Sequence, residues 1–159
     1  MNTEYNLQIR HVVPSDIPAL YQALVSMAKE LNLFHRFNLT EVELSRLLFK
    51  EKIADAIILV DENDNLTGLA MYSITNRDFA LFNRPGIYLH DLYVLPNYRK
   101  LGIATKLINQ LKNIAKDQNL GRIDFVVGKH NANALSVYES RKDVVEVSHI
   151  KSMRILIEE

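Results

Sequence analysis

Along the 159-residue chain the spacing of apolar and polar positions changes period several times, and each change marks an element. "LQIRHVV" (7–13) alternates and stops at Pro14, which predicts a first strand. Ser15 reads as an N-cap with Pro18 in the first turn, and Ile17, Leu20, Leu24, Met27, Ala28 and Leu31 follow at helical spacing. Thr40 and Glu43 have the capping-box spacing and open a second helix through "LSRLLFK". "AIILVD" (56–61) is a short apolar strand, "ENDN" a turn, and "LTGLAMYSI" (66–74) the returning strand of a hairpin. "FALFNRPG" reads as a loop with exposed aromatics. "IYLHDLYVL" (87–95) is the strongest strand pattern, stopped by Pro96.

Beyond "NYRKLGIATKL" (97–107), the residues Ala104, Leu107, Ile108, Leu111, Ile114 and Ala115 form one stripe of a long helix beginning near Leu101. Gly121 closes that unit, and "RIDFVV" (122–127) is the next strand. Asn131 or Asn133 caps a shorter helix running to about Ser140, and the tail "DVVEVSHIKSMRILIEE" adds two β-rich stretches. The order β-α-α-β-β-β-α-β-α-β-β combines a hairpin with a strand–helix–strand crossover. That implies an α/β (α+β) fold with a mixed sheet and helices on both faces, in one domain over residues 1–159.

Charge and composition narrow the chemistry. Nineteen Lys and Arg balance nineteen Asp and Glu, so no long-range field draws nucleic acid or an anionic membrane. The absence of cysteine removes disulfides, thiolate metal sites and a cysteine nucleophile together. None of the five histidines has H-x-x-x-H or H-x-H spacing, so no metal site is expected. "MNTEYNLQIRHVVP" lacks a basic region followed by an apolar one, and no apolar run approaches 18 residues. A soluble, cytoplasmic protein is the expectation.

One glycine stands out. Gly102 opens the apolar run of the long helix, although glycine within a helix costs about 1 kcal/mol relative to alanine. A helix N-terminus offers unpaired N–H groups and about half a positive charge, a setting for phosphate. Gly102 and the small Ala104 would admit such oxygens close to the backbone, beside Arg99 and Lys100. The same turn also occurs in α/β proteins with no ligand. It is neither a P-loop nor a dinucleotide fingerprint.

"RKLGIA" has the form Arg-x-x-Gly-x-Ala and resembles the acyl-CoA pyrophosphate motif of the GNAT (Gcn5-related N-acetyltransferase) superfamily. "IYLHDLYVLPNYRKLGIATKLI" followed by "FVVGKHNANALSVYES" resembles that family's strand, phosphate helix, splayed strand and Tyr-bearing helix, in order. "YLxDLYV" and "N-x-x-A-x-x-x-Y" are most similar to the branch of diamine and thialysine acetyltransferases. The resemblance implies the GNAT fold, a mixed, mostly antiparallel twisted sheet of six to seven strands with about four helices on both faces. It also implies direct acetyl transfer from acetyl-CoA to the primary amine of a small molecule, without a metal, in a protein that is often a homodimer. A protein or peptide acetyltransferase and a non-catalytic acyl-CoA-binding regulatory module are the alternatives.

By the same resemblance Leu92, Tyr93 and Val94 face the pantetheine arm, with an N–H of that strand as oxyanion donor. Arg99, Lys100, Leu101, Gly102, Ile103, Ala104 and Thr105 match the pyrophosphate loop, and Asn131 and Ala134 the cap near the CoA arm. Tyr138 matches the general acid, although periodicity alone makes it a packed aromatic. His90 and Asp91 are the candidate bases, and His90 could equally be structural. Strand alternation puts His90 on the face of Tyr88 and Leu92, with Asp91 opposite. The diamine branch carries acids where this chain has His90, His35 and Lys129, so these three become substrate-side candidates for a less cationic amine. "YESRKDV" also lacks the glycine that family members commonly carry four residues after the tyrosine.

Overall fold

A computed structural model describes residues 6–157. Two compact units divide the chain between Val126 and Val127. The first contains a five-stranded sheet in the order β1 (Gln8–His11), β2 (Asp55–Val60), β3 (Leu66–Thr75), β4 (Gly86–Val94) and β5 (Ile123–Phe125). The first four strands pair antiparallel, while β5 lies parallel to β4 across the crossover helix α3 (Ile103–Asp117). The second unit holds α4 (Ala132–Glu139).

Near-continuous apolar strands are what a sheet covered on both faces requires. Ala56, Ile58, Val60 and Leu69 pack with Ile17, Leu20 and Leu24 of α1 (Ile17–Glu30), and with Leu44 of α2 (Glu41–Ser45) and Leu48. The alternate residues Ile57, Leu59, Ala70 and Tyr72 pack with Ile103, Leu107, Leu111 and Ile114 of α3. Each fully buried leucine in these layers contributes about 1.5–3 kcal/mol. Among the described residues no helix is long and apolar enough to cross a membrane.

The α3 stripe follows its predicted period, except that Ile103 rather than Ala104 is the first buried residue. Thr40 caps α2 as expected, with the Glu43 N–H donating to Thr40 Oγ1 (3.2 Å) and the Thr40 N–H to Glu43 Oε2 (2.9 Å). A single turn of π-helix (Arg46–Lys50) continues α2. Three expectations need correction. Asp16, not Ser15, precedes α1, because the Arg10 guanidinium grips both Asp16 oxygens (2.7 and 2.9 Å) and the Val13 N–H donates to the same carboxylate. Leu31 lies past the end of α1 and is exposed, since Asn32 turns left-handed there.

The largest correction concerns the strand count, which is five among the described residues rather than six or seven. The β-rich tail forms no strand through residue 157, and Val145, Met153, Ile155, Leu156 and Ile157 are each about four-fifths exposed or more. Propensity for a strand records what fits a pleated surface, and it makes no strand without a paired edge.

Candidate active site

The crossover leaves one edge of β4 open. β5 pairs only with Ile87, Tyr88 and Leu89, while β4 continues to Val94. The Leu95 N–H donates to the Thr67 carbonyl on the β3 side (2.9 Å). Antiparallel alternation therefore turns the backbone of Val94 and Leu92 toward the side without β5, and that of Tyr93 toward β3.

Halfway along β4 the register slips. Met71 pairs with Asp91 and Tyr72 with Leu89, so His90 is an extra residue, a β-bulge. This overturns the face assignment made from strict alternation. Leu92 packs with the α3 cluster, as Leu89 does, whereas Asp91 lies across from Met71 on the α1 face. His90 stays beside Tyr88 (ring centroids 5.1 Å apart), with Nε2 at 2.8 Å from Ser73 Oγ on β3. The bulge therefore gathers Tyr88, His90, Asp91 and Tyr93 on one face. Desolvation holds the His90 imidazole below its usual value, with the Asp91 charge opposing. Burial pushes the Asp91 carboxyl up, and His90 opposes that.

After β4 the chain makes a short 3-10 turn (Pro96–Tyr98) and enters α3 through Gly102, which has φ +75°. No side chain caps α3, so its first-turn N–H groups face outward. A Cβ built on Gly102 would meet nothing within 4 Å. Lys100 is exposed and also left-handed (φ 61°). Together these features make an open, electropositive helix start that suits a phosphate or pyrophosphate.

Arg99 is otherwise engaged. Its Nη2 donates to Glu30 Oε2 (2.7 Å) and its Nε to the Val94 carbonyl (3.0 Å), while the Tyr93 hydroxyl donates to the same Glu30 oxygen (3.1 Å). The Arg99 contact holds the Glu30 carboxyl below its usual range against the opposing effect of burial. The guanidinium thus braces the end of β4 against α1, and Lys100 is left as the outward cation of the pair. Neither Glu30 nor Ser73 was foreseen. Each meets its partner only through the fold, and nothing in the local sequence marks it.

His35 lies exposed in the 3-10 turn Phe34–Arg36 after α1. In the second unit, Lys129 is exposed before α4. Asn131 proves to be the cap, its Oδ1 accepting the Ala134 N–H (3.2 Å). Tyr138 lies buried on α4, and that burial pushes its hydroxyl up to about 12. Among the described residues no group of three or more His, Asp or Glu stands close enough to hold a metal ion.

Known proteins resemble this chain in sequence and fold. The model of the acetyltransferase (GNAT) family matches residues 24–142. A thialysine N-epsilon-acetyltransferase of Caenorhabditis elegans is 27% identical over 139 residues, covering 85% of this chain and 81% of the relative. A human spermidine/spermine N(1)-acetyltransferase-like protein 1 is 27% identical over 141 residues, covering 84% of this chain; the match spans only 20% of that longer protein. Among solved structures, an aminoglycoside acetyltransferase from an uncultured soil metagenomic sample superposes with a TM-score of 0.77 at 19% identity. That match covers 95% of this chain and 97% of that one, and it shows a shared fold.

Proposed function

Because the chain belongs to the acetyltransferase (GNAT) family, we propose that it transfers the acetyl group of acetyl-CoA to the primary amine of a small molecule. One observation carries this reading: the uncapped start of α3, with the left-handed Gly102 open on its Cβ side, comes one short connection after a β4 edge that β5 leaves free. Leu101 to Thr105 and Lys100 would hold the pyrophosphate, and the outward N–H groups of Leu92 and Val94 the pantetheine amides. Bound acetyl-CoA supplies a thioester whose carbonyl an amine attacks, with CoA leaving as the thiol.

The chain's own residues manage the protons. An ammonium has no lone pair, so His90, whose charged form desolvation disfavours, takes a proton from the acceptor. Asp91 beside it favours the imidazolium that results. Tyr138, protonated at any working pH, is assigned by its place in the family motif as the proton donor to the departing sulfur.

The relatives are named for thialysine and for spermidine/spermine, which directs attention to primary amines. By the family resemblance, His35, His90 and Lys129 stand where the diamine branch carries acids that would hold a polycation, so the proposed acceptor carries fewer positive charges than a polyamine. Turnover of acetyl-CoA against polyamines, lysine analogues, amino acids, aminoglycosides and short peptides tests this by CoA release. Saturable turnover on monoamines or amino acids is the expected result. Turnover on peptides alone indicates a protein acetyltransferase, and CoA binding without turnover on any amine indicates a regulatory module.

A homodimer is part of the same proposal. The exposed apolar residues Val145, Val147, Ile150, Met153, Ile155, Leu156 and Ile157 support it, being surface that a second copy would cover. Light scattering on the full chain and on a variant ending at residue 151 should show a dimer and a monomer. A monomeric full chain removes this element.

A further inference from the structure

Building on the reading of His90 as proton acceptor, we propose that Ser73 is a positioning residue that selects the tautomer of His90. Nε2 carries the ring proton and donates it to Ser73 Oγ, and Nδ1 keeps the lone pair that takes the proton from the acceptor's ammonium. In that step one N–H bond of the ammonium breaks and one Nδ1–H bond forms, giving a neutral amine and an imidazolium.

The geometry comes from the bulge. Ser73 is the register partner of Tyr88, and the extra residue in β4 carries the imidazole back over it. Two contacts then fix the ring, the 2.8 Å approach of Nε2 to Ser73 Oγ and the Tyr88 ring at 5.1 Å and 59°. A neutral imidazole has one donor and one acceptor nitrogen, so the partner of one nitrogen decides the chemistry of the other. A serine hydroxyl can donate or accept, but once the ring gains its second proton both nitrogens donate. Only the arrangement with Nε2–H donating to Oγ survives that change without rotating either group. Among the described residues no hydrogen bond or ion pair occupies Nδ1. The titratable groups facing the ring are Asp91 on the same strand and Tyr88, and on β3 its partner is the uncharged Ser73.

Imidazole proton–nitrogen correlation spectra of the unliganded protein read the tautomer directly. The wild type and Ser73→Thr should show the Nε2–H form at His90, and Ser73→Ala a mixture. With the amine found active, Ser73→Ala should lower the kcat/KM plateau about five- to tenfold, the worth of one ordinary hydrogen bond. Its acid limb should move to lower pH, because the imidazolium loses an acceptor, and Ser73→Thr should restore both. An Nδ1–H tautomer in the wild type, or a Ser73→Ala variant with unchanged tautomer and profile, overturns this proposal alone. A His90→Gln variant that keeps the wild-type rate and acid limb overturns the parent reading, and this one with it.

Discussion

Replacing Tyr138 by phenylalanine should lower kcat about 100-fold while the dissociation constant of acetyl-CoA stays near its wild-type value. The magnitude follows from the acidity of the phenol. General acids contribute about 10²–10⁴-fold, and the upper part of that range belongs to donors whose acidity matches the group they protonate. Burial pushes the Tyr138 hydroxyl up to about 12, well above a thiol near 8.5. Full transfer to a free thiolate is then uphill by about 5 kcal/mol. As the proposed acid, the hydroxyl would therefore act by hydrogen bonding to sulfur as charge builds on it, which places the expected loss at the low end. It also follows that an alkaline limb between about pH 8 and 10 belongs to another group and persists in the variant. Tyr138 is buried, so a melting curve must accompany the kinetics. An unchanged kcat in a folded variant reduces Tyr138 to the packed aromatic that its periodicity suggests. A loss confined to CoA affinity assigns it to binding.

How much of this was legible depended on how locally each feature is determined. The α3 stripe needs only the 3.6-residue period, and the Thr40–Glu43 box only three residues of backbone, so both stood in the sequence. Gly102 stood out only as a glycine near a helix start; that it precedes the helix, which begins at Ile103 and not near Leu101, and is left-handed was not read from the sequence. Nor was the bulge. Alternation has period 2 until an extra residue enters, and nothing around "YLHDLYV" marks which residue that is. Missing it placed Leu92 and Asp91 on the wrong faces and hid Ser73. Glu30 lay out of reach too, because its bond to Arg99 joins residues 69 apart. The tail strands failed on the opposite ground, as local propensity was present and a partner edge was not.

Gly102 is where the conformational and the chemical requirement can be pulled apart. Gly102→Ala should raise the KM for acetyl-CoA about tenfold or more. It should also cost about 1–2 kcal/mol of stability, the penalty of a left-handed conformation for a residue with a Cβ. Steric conflict within the protein adds nothing, because a Cβ there meets no atom within 4 Å. Gly68 is the opposite case, with Ile103 Cγ2 at 2.7 Å and the Tyr93 carbonyl at 3.2 Å from the added carbon. The added methyl of Gly102→Ala therefore projects only into the space beside the uncapped N–H groups, where the proposed site would seat the pyrophosphate. Gly102→Asn separates the two effects, since asparagine tolerates the left-handed region far better than alanine. It should melt close to the wild type and still bind acetyl-CoA at least tenfold more weakly, as the side chain occupies the anion's place. If Gly102→Asn binds normally and Gly102→Ala does not, the glycine serves the turn alone. The α3 N-terminus would then lose its claim to the cofactor.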